Sequence, residues 1–297
     1  MIFGIRIWVF LLLACFALCI WALKTTVTFL IVQPFLGFRP PFTRLMMLEL
    51  VINFFFVSTP LGSGGVLAAV ALVKPYGIKP YRVLAVFAIT KFIDAFFIVA
   101  FLLLTFFVAS RVFTELPGGW VLEIALLMLM LGIVMAWAAL VFLVIYPRPL
   151  LVLMLWFSGF LRVGKGTSKR LTYLLMRTNR SIRMFGTISL RRKLLIGFAS
   201  VCHWLLASSG LWLCVIVIGG NIGWEKTVSI QVASAIAGKV ASLPGGALAS
   251  EITALGLLVP VAGGAIAGAS ILLWRLMTFY LPLLLGALSF FLLSRDL

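Results

Sequence analysis

The sequence predicts an all-α, polytopic helical membrane protein with inverted-topology repeats and two broken, re-entrant helical hairpins. Hydrophobic residues fill 64% of the 297 positions and charged residues only 10%, shares that exclude an ordinary soluble domain. Several apolar stretches reach the roughly 20 residues that an α-helix needs to cross a bilayer core. None of them alternates in the way that strands of a transmembrane barrel do. A bundle of membrane helices is therefore expected.

The first element is an apolar run over residues 3–23. It is too long for a secretory signal, and no A-x-A-like cleavage site follows it, so it is predicted to be the first spanning helix. Lys24 and Pro34 leave two arrangements open for the first 40 residues. One is a spanning helix followed by an interfacial segment, and the other is a longer, bent helix.

The middle of the chain is strongly basic. Ten Lys and Arg residues and no acidic ones lie between Arg162 and Lys193, and cytoplasmic loops carry such an excess. Residues 147–193 are therefore predicted to be a cytoplasmic linker of an inner-membrane protein, with a cytoplasmic C-terminus. The apolar residues within the run favour an interfacial helix on anionic lipid over binding to nucleic acid; they are Leu171, Leu174, Leu175, Met176, Ile182, Met184 and Phe185.

From this linker the topology can be followed in both directions within a single transmembrane domain, residues 1–297. Repeat 1 covers about residues 1–110, a spanning helix covers 120–146, and repeat 2 covers about 194–297. The segment from Arg44 to Lys74 begins and ends with basic residues, which predicts a hairpin entering from the cytoplasm. Residues 227–258 form the matching hairpin from the outside. Opposite polarity of two similar halves defines an inverted-topology repeat.

Both hairpins are interrupted by the pattern S-x-P-x-G, at residues 58–62 and 242–246. A broken helix at membrane depth must bury its freed backbone groups in protein or line a wet cavity. The N-terminus of the following half-helix also favours an anion. The residues of the two breaks are therefore candidate headgroup contacts, namely Pro60, Gly62, Ser63, Pro244, Gly245 and Gly246. The alternative is a pair of kinks that only shape helix packing.

Charged residues inside apolar segments are costly and usually face a cavity or a partner. Lys91 and Arg275 each follow the proline of their break by 31 positions. Asp94 is three residues from Lys91, so it is either a binding residue or only a charge partner. Glu251 either pairs with Arg275 across the bundle or responds when Arg275 binds a lipid phosphate. The other candidate binding residues are Glu49, Asn53, Lys239 and Tyr280.

Motifs for enzymatic chemistry are not found. The sequence contains no H-E-x-x-H, no G-x-S-x-G and no carboxylate cluster for a divalent metal. Transport is therefore favoured over catalysis, with no metal or cofactor. The single histidine, His203, is expected to pack or to form an interhelical hydrogen bond.

Two blocks of sequence resemble the lysylphosphatidylglycerol synthase transmembrane family, over about residues 40–290. The first is N-F-F-F-V-S-T-P-L-G-S-G-G from Asn53, followed by Asp94. The more specific is L-P-G-G-A-L-A-S-E from Leu243, followed by Arg275 and Tyr280. Bifunctional members join a flippase module for aminoacylated phosphatidylglycerol to a cytosolic synthetic domain. The resemblance implies a free-standing translocase module, because the chain stops at Leu297. The usual P-x-R-x-G-E of the first block is replaced here by P-L-G-S-G-G.

The expected function is that of a flippase for an anionic or aminoacylated phospholipid, or a related lipid. Its headgroup would lie between the two breaks and contact Arg275 and Lys91. A membrane-embedded lipid-modifying enzyme, or an accessory subunit of lipid or glycolipid synthesis, would instead bring Glu251 and Asp94 together on a substrate bond. A small-solute transporter would have a closed polar pocket. Expected partners are phospholipid and membrane; a second copy of the chain and a separate lipid-synthesis enzyme are further candidates.

Overall fold

The computed structural model describes residues 7–36, 40–59, 62–113, 165–241 and 246–295, with scattered positions between 124 and 156. All regular elements within these ranges are helices. Four of them are long and apolar enough to cross a membrane, namely Ile7–Pro34, Pro80–Leu104, Leu190–Val217 and Gly264–Ser294. The prediction of a polytopic helical membrane protein is confirmed. The predicted spanning helix at 120–146 lies largely outside the described residues.

The first half of the chain contains four helices. They are α1 (Ile7–Leu36), α2 (Phe42–Ser58), α3 (Ser63–Val73) and α4 (Pro80–Phe113). Helix α1 runs without interruption past Lys24 and contains Pro34 near its end. Of the two arrangements left open for this region, the structure therefore has the longer helix.

The basic helix α5 (Lys165–Gly186) precedes a second half with six helices. These are α6 (Leu190–Ser208), α7 (Gly210–Val217), α8 (Trp224–Val240), α9 (Ala249–Ala262), α10 (Gly264–Arg275) and α11 (Leu281–Ser294). A π-helical turn, Leu276–Tyr280, joins α10 to α11 without a break. The α2–α3 pair, called here the first hairpin, and the α8–α9 pair, the second hairpin, have arms of at most 17 residues, shorter than a full span.

The two halves exchange packing partners. Helix α11 packs along α2 of the first hairpin, and α4 packs along α8 of the second hairpin. Helices α1 and α6, which begin the two halves, pack on each other. The last helix of each half thus covers the hairpin of the other half, so neither hairpin is surrounded by its own half alone.

Helix α5 has one face against the bundle. Ile182 and Phe185 pack with Val27 and Ile31 of α1 and Ile89 of α4. Of the apolar residues expected at the lipid interface, Leu171, Met176 and Met184 are exposed. The interfacial position of this helix stays a prediction, and Ile182 and Phe185 pack against α1 and α4.

The side chain of Gln231, on α8 of the second hairpin, inserts at the break between α6 and α7. The Gln231 side chain accepts a hydrogen bond from the N–H of Leu211 at 3.0 Å and donates one to the carbonyl of Ala207 at 2.8 Å. These two backbone groups are four residues apart and would bond each other in an uninterrupted α-helix. The inserted amide satisfies both, which matters because lipid offers neither a donor nor an acceptor.

Candidate functional site

The first break is built by a threonine cap and by glycine. The hydroxyl of Thr59 donates to the carbonyl of Phe55 at 2.7 Å and accepts from the N–H of Gly64 at 2.9 Å. It therefore serves the end of α2 and the start of α3 together. Gly62 has a φ of +70°, and a Cβ there would overlap the Phe56 ring. Glycine satisfies both the backbone angle and the close approach.

The second break also depends on a close backbone approach. Gly246 has a φ of +66°, and a Cβ on it would lie 2.9 Å from the Cα of Gly238 on α8. Leu248 has a φ of 64° and a ψ of −55°, and the N–H of Ala249 bonds the carbonyl of Ala247 at 2.8 Å around it. This tight turn is strained for a residue with a Cβ. Strain is thus stored directly before α9.

Near the first break, one carboxylate faces two cations. Lys24 Nζ donates to Asp94 Oδ1 at 2.6 Å, and both side chains are 14% exposed. Lys91 Nζ lies 3.5 Å from Asp94 Oδ2, and its side chain is 43% exposed. The same ammonium is 4.5 Å from the ring centroid of Phe56, the ring that Gly62 accommodates. One carboxylate balances the charge of only one of the two cations, and Lys24 is the closer partner. The charge of Lys91 can therefore be balanced by another group.

His203 joins helices close to these charges, as the sequence predicts. Its Nδ1 lies 3.1 Å from the carbonyl of Ile20 on α1, one turn before Lys24. Because a carbonyl only accepts, the ring nitrogen is the donor. The histidine therefore ties α6 to α1.

Near the second break, Arg275 and Glu251 form a separate pair. Arg275 Nε is 2.8 Å from Glu251 Oε1, and the arginine side chain is only 9% exposed. The guanidinium carbon lies 5.1 Å from the Trp274 ring centroid and 5.7 Å from that of Phe279. The contact at Nε lacks hydrogen-bond geometry, and Nη2 has no partner among the described residues. Arg275 therefore retains unused donor capacity in a buried position.

A cavity of about 320 Å³ lies among α1, the first hairpin and α4. Four cations and one carboxylate line it, namely Lys24, Arg44, Arg82, Lys91 and Glu49. The rest of the lining is mainly apolar and includes Val32, Leu45, Ile52, Leu72, Val86 and Phe87. A few charged groups among apolar walls are typical of a site for an amphipathic ligand.

The structure brings together only some of the residues predicted from the sequence. Lys91 and Glu49 line the cavity, while Arg275, Glu251, Asn53 and Tyr280 are not among its lining residues. Tyr280 is 53% exposed, and Ser63 is also exposed, at the start of α3. Lys239 lies in α8, but its side chain, like Pro60, Pro244 and Gly245, is outside the described residues. Lys91 and Arg275, the two cations predicted to share one site, therefore do not line one common cavity.

Three lining cations were not predicted as site residues. Arg44 is predicted only to begin the first hairpin segment, Lys24 only leaves two arrangements open for the first 40 residues, and Arg82 is not among the predicted site residues. The signal for Lys24 was present, since it is a cation inside one of the longest apolar stretches of the chain. Its partner Asp94 is 70 positions away, a separation that sequence periodicity does not connect.

These features define a class of protein: a polytopic helical membrane protein with ionisable groups inside its bundle and a partly charged cavity between its helices. A family model described as the lysylphosphatidylglycerol synthase TM region matches residues 4–286. The chain therefore belongs to that family, as the two sequence blocks predict. No curated protein and no solved structure matches the chain.

Proposed function

We propose that the protein moves a lipid with an anionic or aminoacylated phosphate headgroup, such as a phospholipid, between the leaflets of the cell's inner membrane. The carrying observation is the cavity beside the first hairpin, in which Lys24, Arg44, Arg82 and Lys91 face the same space as one carboxylate, Glu49. Lys24 is paired with Asp94, but the lining still has more cations than carboxylates, an excess that favours an anion. Family membership supports a lipid-related role at the membrane.

The apolar part of the lining supports a lipid over a free ion. Leu45 and Ile52 of α2 and Val86 of α4 lie in the same wall as the cations. A volume of about 320 Å³ is at the small end of ligand sites, which suits a headgroup whose acyl chains remain in the bilayer. A small-solute transporter would be expected to have a more uniformly polar pocket.

Glu49 gives the proposal room for aminoacylated headgroups. Such a headgroup carries an ammonium as well as a phosphate, and Glu49 on α2 faces the same cavity as Lys91 on α4. The carboxylate would bind the ammonium while the lysine and arginines bind the phosphate. An anionic phospholipid without an ammonium would use the cations alone.

The second half would supply the alternate site. Arg275 is paired with Glu251 in this conformation, whereas Lys91 retains charge at the cavity. We infer that the cavity beside the first hairpin is available to lipid in this conformation. Glu251 would stay paired with Arg275 until the headgroup reaches the second break and replaces the carboxylate. Rocking of one half against the other would exchange the two sites.

The lipid-modifying alternative has less support from the carboxylates. That alternative expects Asp94 and Glu251 to converge on a substrate bond. Asp94 instead contacts Lys24 and Lys91, and Glu251 contacts Arg275. Each carboxylate is engaged with a cation on its own side of the fold.

The test is leaflet transfer in liposomes that contain the purified protein. Fluorescent phosphatidylglycerol, its lysyl derivative and phosphatidylcholine are each reconstituted, and a membrane-impermeant quencher reports how much of the label reaches the outer leaflet. We expect the fluorescence of phosphatidylglycerol, of its lysyl derivative or of both to be quenched faster than that of phosphatidylcholine. Protein that elutes as a folded, monodisperse species but accelerates none of the three would refute the proposal.

A further inference from the structure

A second cavity, of about 250 Å³, lies at the junction of α1, α4 and α5. We call it the arginine recess, because three arginines line it: Arg82 at the start of α4, and Arg177 and Arg180 on α5. Two hydroxyl-bearing residues, Tyr81 and Ser181, complete its polar lining. Sequence positions about a hundred residues apart thus contribute cations to one concave surface.

Within the described part of the chain, no carboxylate is among the residues that line this recess. Asp94 and Glu251 are paired elsewhere, with Lys24, Lys91 and Arg275. Arg177 and Arg180 are three residues apart on one helix, a spacing at which like charges repel. The ring of Tyr173 lies 5.3 Å from the Arg177 guanidinium carbon and supports its position. An anion between the guanidinium groups would remove the repulsion.

Neighbouring basic residues do have protein acceptors. Arg192 Nη2 donates to Gln33 Oε1 at 2.5 Å, Lys193 Nζ donates to the carbonyl of Gly186 at 2.6 Å, and Arg183 Nε donates to Asn179 Oδ1 at 3.2 Å. These bonds hold α5 and α6 in place beside α1. Arg177 and Arg180 instead line the arginine recess.

We propose that Arg82, Arg177 and Arg180 form a phosphate-binding site distinct from the cavity of the first hairpin, and that a membrane phospholipid supplies the phosphate. Guanidinium groups bind phosphate oxygens through paired, charge-assisted hydrogen bonds. Ser181 donates its hydroxyl to the Arg177 carbonyl at 3.0 Å, so the phosphate contacts come from the arginines and from Tyr81.

Two observations favour a lipid as the source. Pro34 and Met184 give the arginine recess an apolar side, and Met176 on the same helix is exposed, as expected of a helix at a lipid interface. Arg82 also lines the cavity of the first hairpin. A phosphate in the recess therefore shares one side chain with that cavity, which makes the recess a loading site on the route that the proposed function requires. The lipid source rests on that function, while the phosphate chemistry does not.

The experiment measures lipid retention by the purified full-length protein. Native mass spectrometry counts phosphatidylglycerol molecules bound in detergent, with zwitterionic phosphatidylcholine, whose net charge is zero, as the competitor and inorganic phosphate in a separate titration. The test variant is R177Q/R180Q. The matched control is K169Q/R170Q, which removes two charges from exposed positions of the same helix outside the recess.

We expect R177Q/R180Q to weaken phosphatidylglycerol binding by about 10- to 100-fold, because one charge-assisted hydrogen bond contributes about a factor of ten. K169Q/R170Q should change it less than about threefold. Equal loss in both variants would mean general surface charge and would overturn the proposal. Inorganic phosphate binding that depends on Arg177 and Arg180, without lipid retention, would overturn the lipid source.

Leaflet transfer is measured in parallel on the same variants. R177Q/R180Q leaves Lys24 and Lys91 of the other cavity unchanged. Loss of lipid retention in this variant therefore tests the arginine recess separately from the transport proposal. If R177Q/R180Q does not elute as a monodisperse species, R180Q replaces it. Retention unchanged in R180Q and in R177Q would also overturn the site.

Discussion

Lys24 of α1 donates a hydrogen bond to Asp94 of α4 across 2.6 Å, and the two residues are 70 positions apart in the chain. The pair joins two spanning helices that form walls of the cavity beside the first hairpin. Both side chains are mostly withdrawn from the surface, at 14% exposure. In such a position each charge depends on the other, because breaking a buried pair leaves the remaining charge uncompensated.

Asp94→Leu alone should destabilise the protein by about 3–5 kcal/mol, because Lys24 would remain as an uncompensated cation. The double variant K24M/D94L should cost much less, since apolar residues of similar size replace both charges. Thermal unfolding in detergent, followed for both single variants and the double variant, measures the coupling. Additive effects of the two single substitutions would contradict a direct pair.

Lys91→Ala should slow leaflet transfer at least several-fold while changing the unfolding midpoint little. Lys91 is 43% exposed and is the more distant cation at Asp94, so its removal leaves the Lys24 pair intact. The transfer assay and thermal unfolding are run on the same preparation. Lys79→Ala is the control, since Lys79 is exposed and is not a lining residue of the cavity. Equal transfer by both variants would remove Lys91 from the site.

Gln231→Leu should destabilise the protein by about 2–6 kcal/mol. The substitution removes the partners of the Leu211 N–H and the Ala207 carbonyl, and each unpaired buried group costs about 1–3 kcal/mol. Hydrogen exchange at the Leu211 amide should rise accordingly.

The control for Gln231 is Ser234→Ala on the same helix. The Ser234 hydroxyl donates only to the carbonyl of Ile230, one turn back, so its loss should cost less than about 1 kcal/mol. Unchanged protection of the Leu211 amide in Gln231→Leu would show that α6 and α7 close into one regular helix without the inserted side chain.

Leu248→Gly should stabilise the protein by about 1 kcal/mol, the lower end of the cost of a strained backbone conformation. Leu248 is the one described non-glycine residue with positive φ, and its side chain is largely exposed, so little packing is lost. Chemical unfolding of wild type and variant gives the difference. Leu255→Gly, within α9, should have the opposite sign because glycine lowers helix propensity by about 1 kcal/mol.

Composition and helix-breaking residues predicted much of the fold. The long apolar runs identified spanning helices, and the two S-x-P-x-G patterns identified where each hairpin turns, because proline and a glycine at positive φ interrupt helix geometry. The family followed from the blocks around Gly62 and Glu251. These signals are local, so they can be read from neighbouring residues.

The charge partners could be predicted only in part. Three-residue spacing placed Lys91 beside Asp94, yet Lys24 is the closer partner and comes from another helix. The Arg275–Glu251 pair was one of two arrangements that the sequence left open. The insertion of Gln231 between Ala207 and Leu211 depends on how α8 crosses α6 and α7. Rotation and crossing of helices are set by packing over the whole bundle, which periodicity does not determine.

The uninterrupted path from α10 through the π turn to α11 places two different environments on one continuous helix. Arg275 lies in that helix beside the second break, while Gly286, 11 positions later, lies so close to α2 that a Cβ there would be 2.5 Å from the Leu50 carbonyl oxygen. One helix therefore connects the two hairpins. If the first hairpin shifted together with α11, we would expect Arg275 to shift as well unless the helix bent at the π turn.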